Sequence, residues 1–360
     1  MIPFIVTTCQ VGAERVLKAE IAQLYPAFRA SFSRPGLVTF KIDEPSESDA
    51  DLPSKIVGRS IFARFAAFSI GKISTSDHSK VASECRRILH EYKEPINQVH
   101  VFERDRAVPG DNGLEPGSTA DDFFLHQEIV TKNPVLQNAE VGADNETFLD
   151  VIRVDDAEYL VGVHRVSKRS PIQCRFPGGV IPITLPSDAA SRAWLKFEEG
   201  LRWSRLPIEC DSRCADIGAS PGGGSQTLLA RGAFVLGVDP AEMAPEVLRH
   251  PNFTHLRGKT HQLKRSVFRD VQWIIADMNV APNYTMDVLD ELLSRKEIDI
   301  HGILCTLKLF QWNLVETIPT IIDRFKRLGF HSIRVKQLAF NRQEVMLTGT
   351  RHTLTNTAKR

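Results

Sequence analysis

The run Asp216-Ile217-Gly218-Ala219-Ser220-Pro221-Gly222-Gly223-Gly224-Ser225 joins a strand-like segment, Arg213–Ile217, to a helix-like one. Its small residues let a backbone approach a ligand closely. Three more chemistry-bearing residues stand where apolar, strand-like runs end: Asp239 after Phe234–Val238, Asp277 after 271–276 and Lys308 after 303–307. In open α/β sheets, ligands bind beyond the carboxyl ends of the strands. A G-x-x-x-x-G-K-[ST] phosphate loop finds its glycines at 218 and 223, but Gly224 stands where the lysine belongs. A G-x-G-x-x-G dinucleotide turn finds Gly222 and Gly224, with Thr227 in place of the third glycine. S-adenosyl-L-methionine carries no phosphate and requires neither device. Asp239 is placed to accept from both hydroxyls of its ribose. A turn made for packing alone would leave Asp216, Asp239 and Asp277 at strand ends unexplained. The run therefore points to S-adenosyl-L-methionine.

Positioning these residues requires a sheet. From Pro171 onward strand-like and helix-like segments alternate, with closing strands at 332–335 and 345–347. That alternation predicts a doubly wound, Rossmann-like α/β domain over 171–352, followed by a polar tail at 353–360. An amphipathic helix is expected over 313–329, with Asn313 as N-cap and Gly329 just past its end. Before Ser170 the pattern is mixed α+β, forming a region 1–170 of one or two subdomains. It contains a helix over 11–24, strands over 99–102 and 159–163, and polar loops at 43–51 and 108–118. Pro171 and Phe176-Pro177-Gly178-Gly179 read as a hinge. No internal repeat is evident.

The 360 residues are 42% hydrophobic and 25% charged, which excludes a mainly disordered, collagen-like or coiled-coil chain. Lys+Arg 45 against Asp+Glu 44 leaves a net charge of +1, so a polyanion must be held by a local patch. No apolar run approaches the ~18 residues of a membrane span, and Met1–Val6 lacks the parts of a signal peptide. The six cysteines contain no C-x-x-C; Cys210 and Cys214 are the only close pair and have no second pair or histidine pair beside them. Reduced thiols, no metal and a cytoplasmic location are expected.

The loop 216–223 resembles the cofactor loop of the FtsJ-like RNA ribose 2′-O-methyltransferases, and Ser191-Arg192-Ala193-Trp194-Leu195-Lys196-Phe197-Glu198-Glu199 resembles the helix before it. The resemblance implies a Rossmann-like fold. It implies cofactor contacts at Asp216, Gly218, Ala219, Ser220, Pro221, Gly222, Gly223, Asp239 and Asp277. It also implies a catalytic Lys-Asp-Lys-Glu tetrad at Lys196, Asp277, Lys308 and Glu344. The order of regions is similar to the RlmM-type group, which methylates a cytidine ribose of large-subunit ribosomal RNA and carries a THUMP-containing RNA-binding region first. Thr7-Thr8-Cys9-Gln10-Val11-Gly12-Ala13-Glu14 is similar to the start of such regions. Two departures stand out: 256–261 lacks an acid for the adenine amino group, leaving backbone groups for that role, and Leu309-Phe310 follows Lys308 where Leu-Pro is expected.

Transfer to a ribose hydroxyl is an in-line displacement, in which alignment supplies several kcal/mol. Lys308 is either the base or the cation that stabilises the forming alkoxide. Burial and Lys196 lower its affinity for a proton, whereas Asp277 and Glu344 raise it, so both roles stay open. Amino-group methylation uses [ND]-P-P-[YF], unlike Asp277-Met278-Asn279-Val280 here. Carbon methylation needs a cysteine nucleophile, and Cys305 reads as core. The basic stretch 255–269, with Phe268 and Trp273 nearby, is a candidate phosphate contact, as is Arg192, one turn before Lys196. The expected partner is structured or assembly-stage ribosomal RNA, with neither DNA nor membrane. The alternative from another class is a non-catalytic, S-adenosyl-L-methionine-binding RNA-binding or ribosome-assembly factor.

Overall fold

The computed structural model describes residues 4–43, 49–92, 94–133, 136, 145–294 and 298–351. The chain divides into two units, Met1–Pro182 and Ile183–Arg360. The division falls after Pro182, not at the expected Ser170. The segment read as a hinge forms 3-10 turns, Ile172–Arg175 and Pro177–Gly179, held by the first unit. His164 Nε2 meets the Cys174 carbonyl at 2.8 Å and Arg64 Nε donates to the Gly178 carbonyl at 3.0 Å. The tail 353–360 lies outside the described residues.

In the first unit, β1 (Phe4–Thr8), α1 (Glu14–Leu24), β2 (Phe28–Arg34), β3 (Leu37–Ile42), α2 (Leu52–Arg59) and β4 (Phe65–Ile73) come first. Then follow α3 (His78–Glu91), β5 (Gln98–Glu103), α4 (Ala120–Lys132), β6 (Glu146–Asp155) and β7 (Glu158–Val166). The sheet order is β2-β3-β1-β4-β7-β6-β5, and only β5 and β6 run parallel. Along β6, Leu149 and Val151 join one core beneath α3 and α4, while Ile152 and Val154 join another with Phe65 and Phe102. That is the two-residue alternation of a strand covered on both faces. Helix α1 begins at Glu14, not Val11, because Gly12 takes φ +92° and donates its N–H to Glu14 Oε1 at 3.0 Å. A buried polar chain crosses this sheet. Asp150 meets His164 Nδ1 at 2.6 Å through Oδ2 and His100 Nδ1 at 3.3 Å through Oδ1.

The second unit runs α5 (Ala193–Ser204), β8 (Arg213–Ile217), α6 (Gly223–Leu229), β9 (Phe234–Val238), α7 (Pro245–Leu248), β10 (Phe253–Leu256) and β11 (Trp273–Ala276). It ends with α8 (Pro282–Leu293), β12 (Gly302–Lys308), α9 (Ile318–Arg327), β13 (Arg334–Lys336) and β14 (Glu344–Thr350). The order β10-β9-β8-β11-β12-β14-β13, with β14 antiparallel to both neighbours, is a doubly wound, Rossmann-like sheet. From β8 the chain winds outward through β9 and β10, then returns to β11 on the other side. The crevice between the ends of β8 and β11 is thus a switch point, where such sheets bind ligands.

One reading is corrected here. The helix expected over 313–329 is a 3-10 turn, Trp312–Thr317, followed by α9. Pro319 stands in the first turn of α9, where its missing N–H costs nothing. Gly329, at φ +86°, closes the helix as expected. The basic stretch 255–269 begins within a strand: His255 and Leu256 belong to β10.

Candidate active site

The glycine turn leaves the end of β8 by close packing. A Cβ on Gly218 (φ +80°) would come within 2.9 Å of the Asp277 carbonyl oxygen. One on Gly222 (φ +126°) would come within 2.6 Å of Val247, and one on Gly223 within 2.4 Å of Ser191 Oγ. Several of these glycines thus serve contact between protein segments, and that contact brings the ends of β8 and β11 together. Asp216 lies beneath the turn, 1% exposed, accepting from Ser225 Oγ at 2.7 Å. Burial pushes its carboxyl up to about 7, against the Ser225 hydrogen bond and with help from the Asp277 charge. Ala219 is buried, Pro221 is exposed, and Ser220 Oγ donates to the Glu242 carbonyl at 2.7 Å.

Asp239, at the end of β9, accepts from Ser220 N at 3.2 Å and from Ala241 N at 2.8 Å, one on each carboxylate oxygen. Those two bonds fix the carboxylate, and each oxygen retains a lone pair for another donor. The donor set suits S-adenosyl-L-methionine. A fixed, half-buried carboxylate keeps acceptor positions that suit a ribose diol, and no Lys or Arg lies in 216–225 to demand a phosphate. The Gly258 N–H is already donated to the Asp239 carbonyl at 3.2 Å, so it is not among the backbone groups left for adenine.

Beside this turn four charged side chains from four elements converge. Lys196 of α5 donates to Asp277 Oδ2 at 2.6 Å and lies 3.3 Å from Glu344 Oε1. Lys308, the last residue of β12, lies 2.6 Å from Asp277 Oδ1 and also donates to Glu344 Oε2. Glu344 opens β14, and because β14 runs antiparallel its first residue pairs with the last of β12, Lys308. The four side chains are 12% (Lys196), 13% (Asp277), 14% (Lys308) and 5% (Glu344) exposed, so water screens them weakly. Burial pushes the Asp277 carboxyl up, but the charges and hydrogen bonds of Lys196 and Lys308 outweigh it and hold it below the usual carboxylate range. Burial likewise pulls Lys308 down, and Asp277 with Glu344 outweighs that, holding it above the usual lysine range. The two carboxylates thus favour the ammonium form of Lys308 over the neutral amine. The competition left open by the sequence goes to the carboxylates.

Two supporting residues were not singled out from the sequence. Thr306 donates to Asp277 Oδ1 at 2.5 Å. It lies two residues before Lys308, hence on the same strand face, and that spacing was readable. Glu199, one turn beyond Lys196, accepts from Ala339 N at 3.0 Å and Phe340 N at 2.9 Å, tying α5 to the segment that leads to Glu344. Nothing in the sequence pointed to that segment as its partner. Among other expectations, Phe268 and Trp273 are 2% and 5% exposed and belong to the interior, so they cannot stack with an RNA. Cys305 is fully buried, with burial pushing its thiol up to about 12, and is core. Arg192 is half-buried just before α5.

Residues 189–337 match the family described as FtsJ-like methyltransferase. Proteins named ribosomal RNA large subunit methyltransferase M are similar to this chain. The one from Laribacter hongkongensis is 26% identical over 61% of this chain and 63% of its own length. The one from Psychromonas ingrahamii is 26% identical over 56% of this chain and 57% of its own. In both, the match spans less than two thirds of the relative. The Haemophilus influenzae protein is 26% identical over 76% of this chain and 78% of its own length. With the sheet order and the converging tetrad, these likenesses establish that the second unit carries an FtsJ-like methyltransferase domain, of the kind that takes S-adenosyl-L-methionine as methyl donor.

Proposed function

We propose that this chain transfers a methyl group to a ribose 2′-hydroxyl of large-subunit ribosomal RNA. The observation that carries the reading is the Lys308–Asp277–Lys196–Glu344 cluster at the switch point beside the glycine turn. S-adenosyl-L-methionine, when bound, supplies an electrophilic methyl on a sulfonium. Asp239 and the turn 218–223 would hold it, the carboxylate accepting from the ribose hydroxyls. Lys308, kept charged by its carboxylate neighbours, donates a hydrogen bond to the substrate's 2′-oxygen. It fixes a lone pair toward the methyl and stabilises negative charge as the hydroxyl gives up its proton to water, the new O–CH3 bond forming as the CH3–S bond breaks and S-adenosyl-L-homocysteine leaves. Asp277 and Glu344 orient the two lysines, and Lys196 offsets the charge of Asp277.

The first unit, a mixed α+β sheet preceding the methyltransferase domain, is proposed as a THUMP-like RNA-binding region. The ribosomal substrate is taken from the names of the relatives.

The test is transfer from methyl-labelled S-adenosyl-L-methionine to ribosomal RNA or precursor particles, followed by alkaline digestion. A 2′-O-methyl blocks the hydroxyl that attacks the phosphate, so label survives in an alkali-resistant dinucleotide. The expected result is label there, with Lys308→Ala reducing the rate about 100- to 1,000-fold. Label in mononucleotides places the methyl on a base and overturns the ribose reading. Binding of S-adenosyl-L-methionine without transfer to any of these RNAs favours a non-catalytic assembly factor.

A further inference from the structure

The aromatic side chains expected to accompany the basic stretch are buried, but others in the same unit are not. Phe310 is 54% exposed and stands two residues beyond Lys308, while Tyr284 is 68% exposed in the first turn of α8. They leave the ends of adjacent parallel strands, β12 and β11. The Leu309 N–H still donates to the Gln343 carbonyl at 2.9 Å, and Leu309 is fully buried. The strand alternation thus persists one residue past Lys308, placing Phe310 on the side that Lys308 occupies. Its Cα lies within about 7 Å of that of Lys308. The 3-10 turn Thr260–Gln262 packs against α8. Around that turn, Lys259, Lys264 and Arg265 are exposed and form no ion pair among the described residues.

We propose that Phe310 and Tyr284 form a stacking platform for nucleobases at the reacting nucleotide, with Lys259, Lys264 and Arg265 holding the adjoining phosphates. This rests on the ribose-methylation reading. A base is attached at C1′, the neighbour of the carbon bearing the reacting hydroxyl. Whatever holds that base must therefore lie just outside the tetrad, where Phe310 stands. Aromatic faces interleaved with unpaired cations are how single-stranded RNA is gripped. Both rings are positioning residues: they hold the nucleotide so that its 2′-oxygen meets Lys308.

The test uses the full chain and its Phe310→Ala, Phe310→Tyr and Tyr284→Ala variants, each checked for an unchanged melting temperature. The probe is a single-stranded RNA oligonucleotide containing 2-aminopurine, whose fluorescence falls on stacking. Wild type and Phe310→Tyr quench it. Each alanine variant loses most of the quenching and binds about 5- to 100-fold more weakly. The salt dependence of binding stays the same, since no charge is removed. With ribosomal RNA, KM rises in the alanine variants far more than kcat falls, and Phe310→Tyr restores it. A merely structural effect on Lys308 would lower kcat instead. Methyl transfer with unaltered KM and quenching in both alanine variants overturns the platform alone. Quenching that is lost in the variants, with no ribose methylation by wild type, overturns the ribose reading and leaves the platform standing. No quenching by wild type overturns the platform.

Discussion

Replacing Asp277 by asparagine removes the charge that both lysines face while keeping the shape. In the wild type, one carboxylate oxygen lies 2.6 Å from Lys196 Nζ and the other 2.6 Å from Lys308 Nζ and 2.5 Å from Thr306 Oγ1. An asparagine offers one oxygen and one NH2, so one ammonium must face a donor. Two lysines would then share Glu344 alone. Breaking a buried pair from one side costs about 3–5 kcal/mol, and the low exposure of all four groups argues against discounting it for solvent. For a domain of this size, each kcal/mol moves the melting temperature by about 2–4 °C, so the loss is about 6–20 °C. All four tryptophans, Trp194, Trp203, Trp273 and Trp312, lie in the second unit, so tryptophan fluorescence follows its unfolding separately from that of the first. The pH dependence supplies a second readout. The folded-state pKa of Lys308 is raised, so its contribution is complete below the unfolded value near ~10.4 and is lost as pH rises through the folded value. The gap between wild type and Asp277→Asn therefore narrows in strong alkali. A variant melting within a degree or two of wild type, with a parallel pH profile, would refute this electrostatic account of the cluster.

Three more outcomes are expected. Asp239→Asn weakens S-adenosyl-L-methionine binding about 10- to 150-fold, as for loss of charge-assisted hydrogen bonds, and calorimetric titration would show it; an unchanged affinity removes Asp239 from the cofactor site. Gly218→Ala forces a Cβ to 2.9 Å from the Asp277 carbonyl oxygen at φ +80°; it lowers stability by about 1–3 kcal/mol together with cofactor affinity, both readable in one thermal-shift series. In the first unit, His164 faces an acceptor at each ring nitrogen, Asp150 Oδ2 and the Cys174 carbonyl, so both nitrogens carry protons. Burial pulls its pKa down, but the Asp150 charge and hydrogen bond prevail and raise it. Its stabilisation is complete below the unfolded value near ~6.5 and is lost as pH rises through the folded value. His100 is pushed down by burial, held neutral, and destabilises in acid. Imidazole nitrogen shifts at neutral pH should show His164 doubly protonated, and a neutral His164 would refute the pairing.

Much of the second unit was legible because its elements obey local rules. β8 and β9 match the expected segments residue for residue, with Asp216 near the carboxyl end of the first and Asp239 just past the second. β10 was hidden because it is short and ends in a basic stretch; His255 sits within it, bonded to the Asp239 carbonyl at 3.0 Å. Phe268 and Trp273 looked available to a nucleic acid, because burial depends on what packs over a segment and not on the segment itself. The partners of Glu199 and the chain His100–Asp150–His164 were likewise invisible. Their members are 140 and 50 residues apart and follow no period.

The sequence by itself determined the residue types at the strand ends, the glycine turn that only small residues can form, and the alternation that builds the sheet. These depend on steric and hydrophobic patterns a few residues long. Tertiary structure decided that β14 inserts in reverse between β12 and β13, placing Glu344 opposite Lys308 and within reach of Lys196. It also set the influences that compete for the Lys308 proton. Burial and two nearby carboxylates act in opposite directions on the same proton. Their balance depends on distances and exclusion of water, quantities that exist only once the chain has folded.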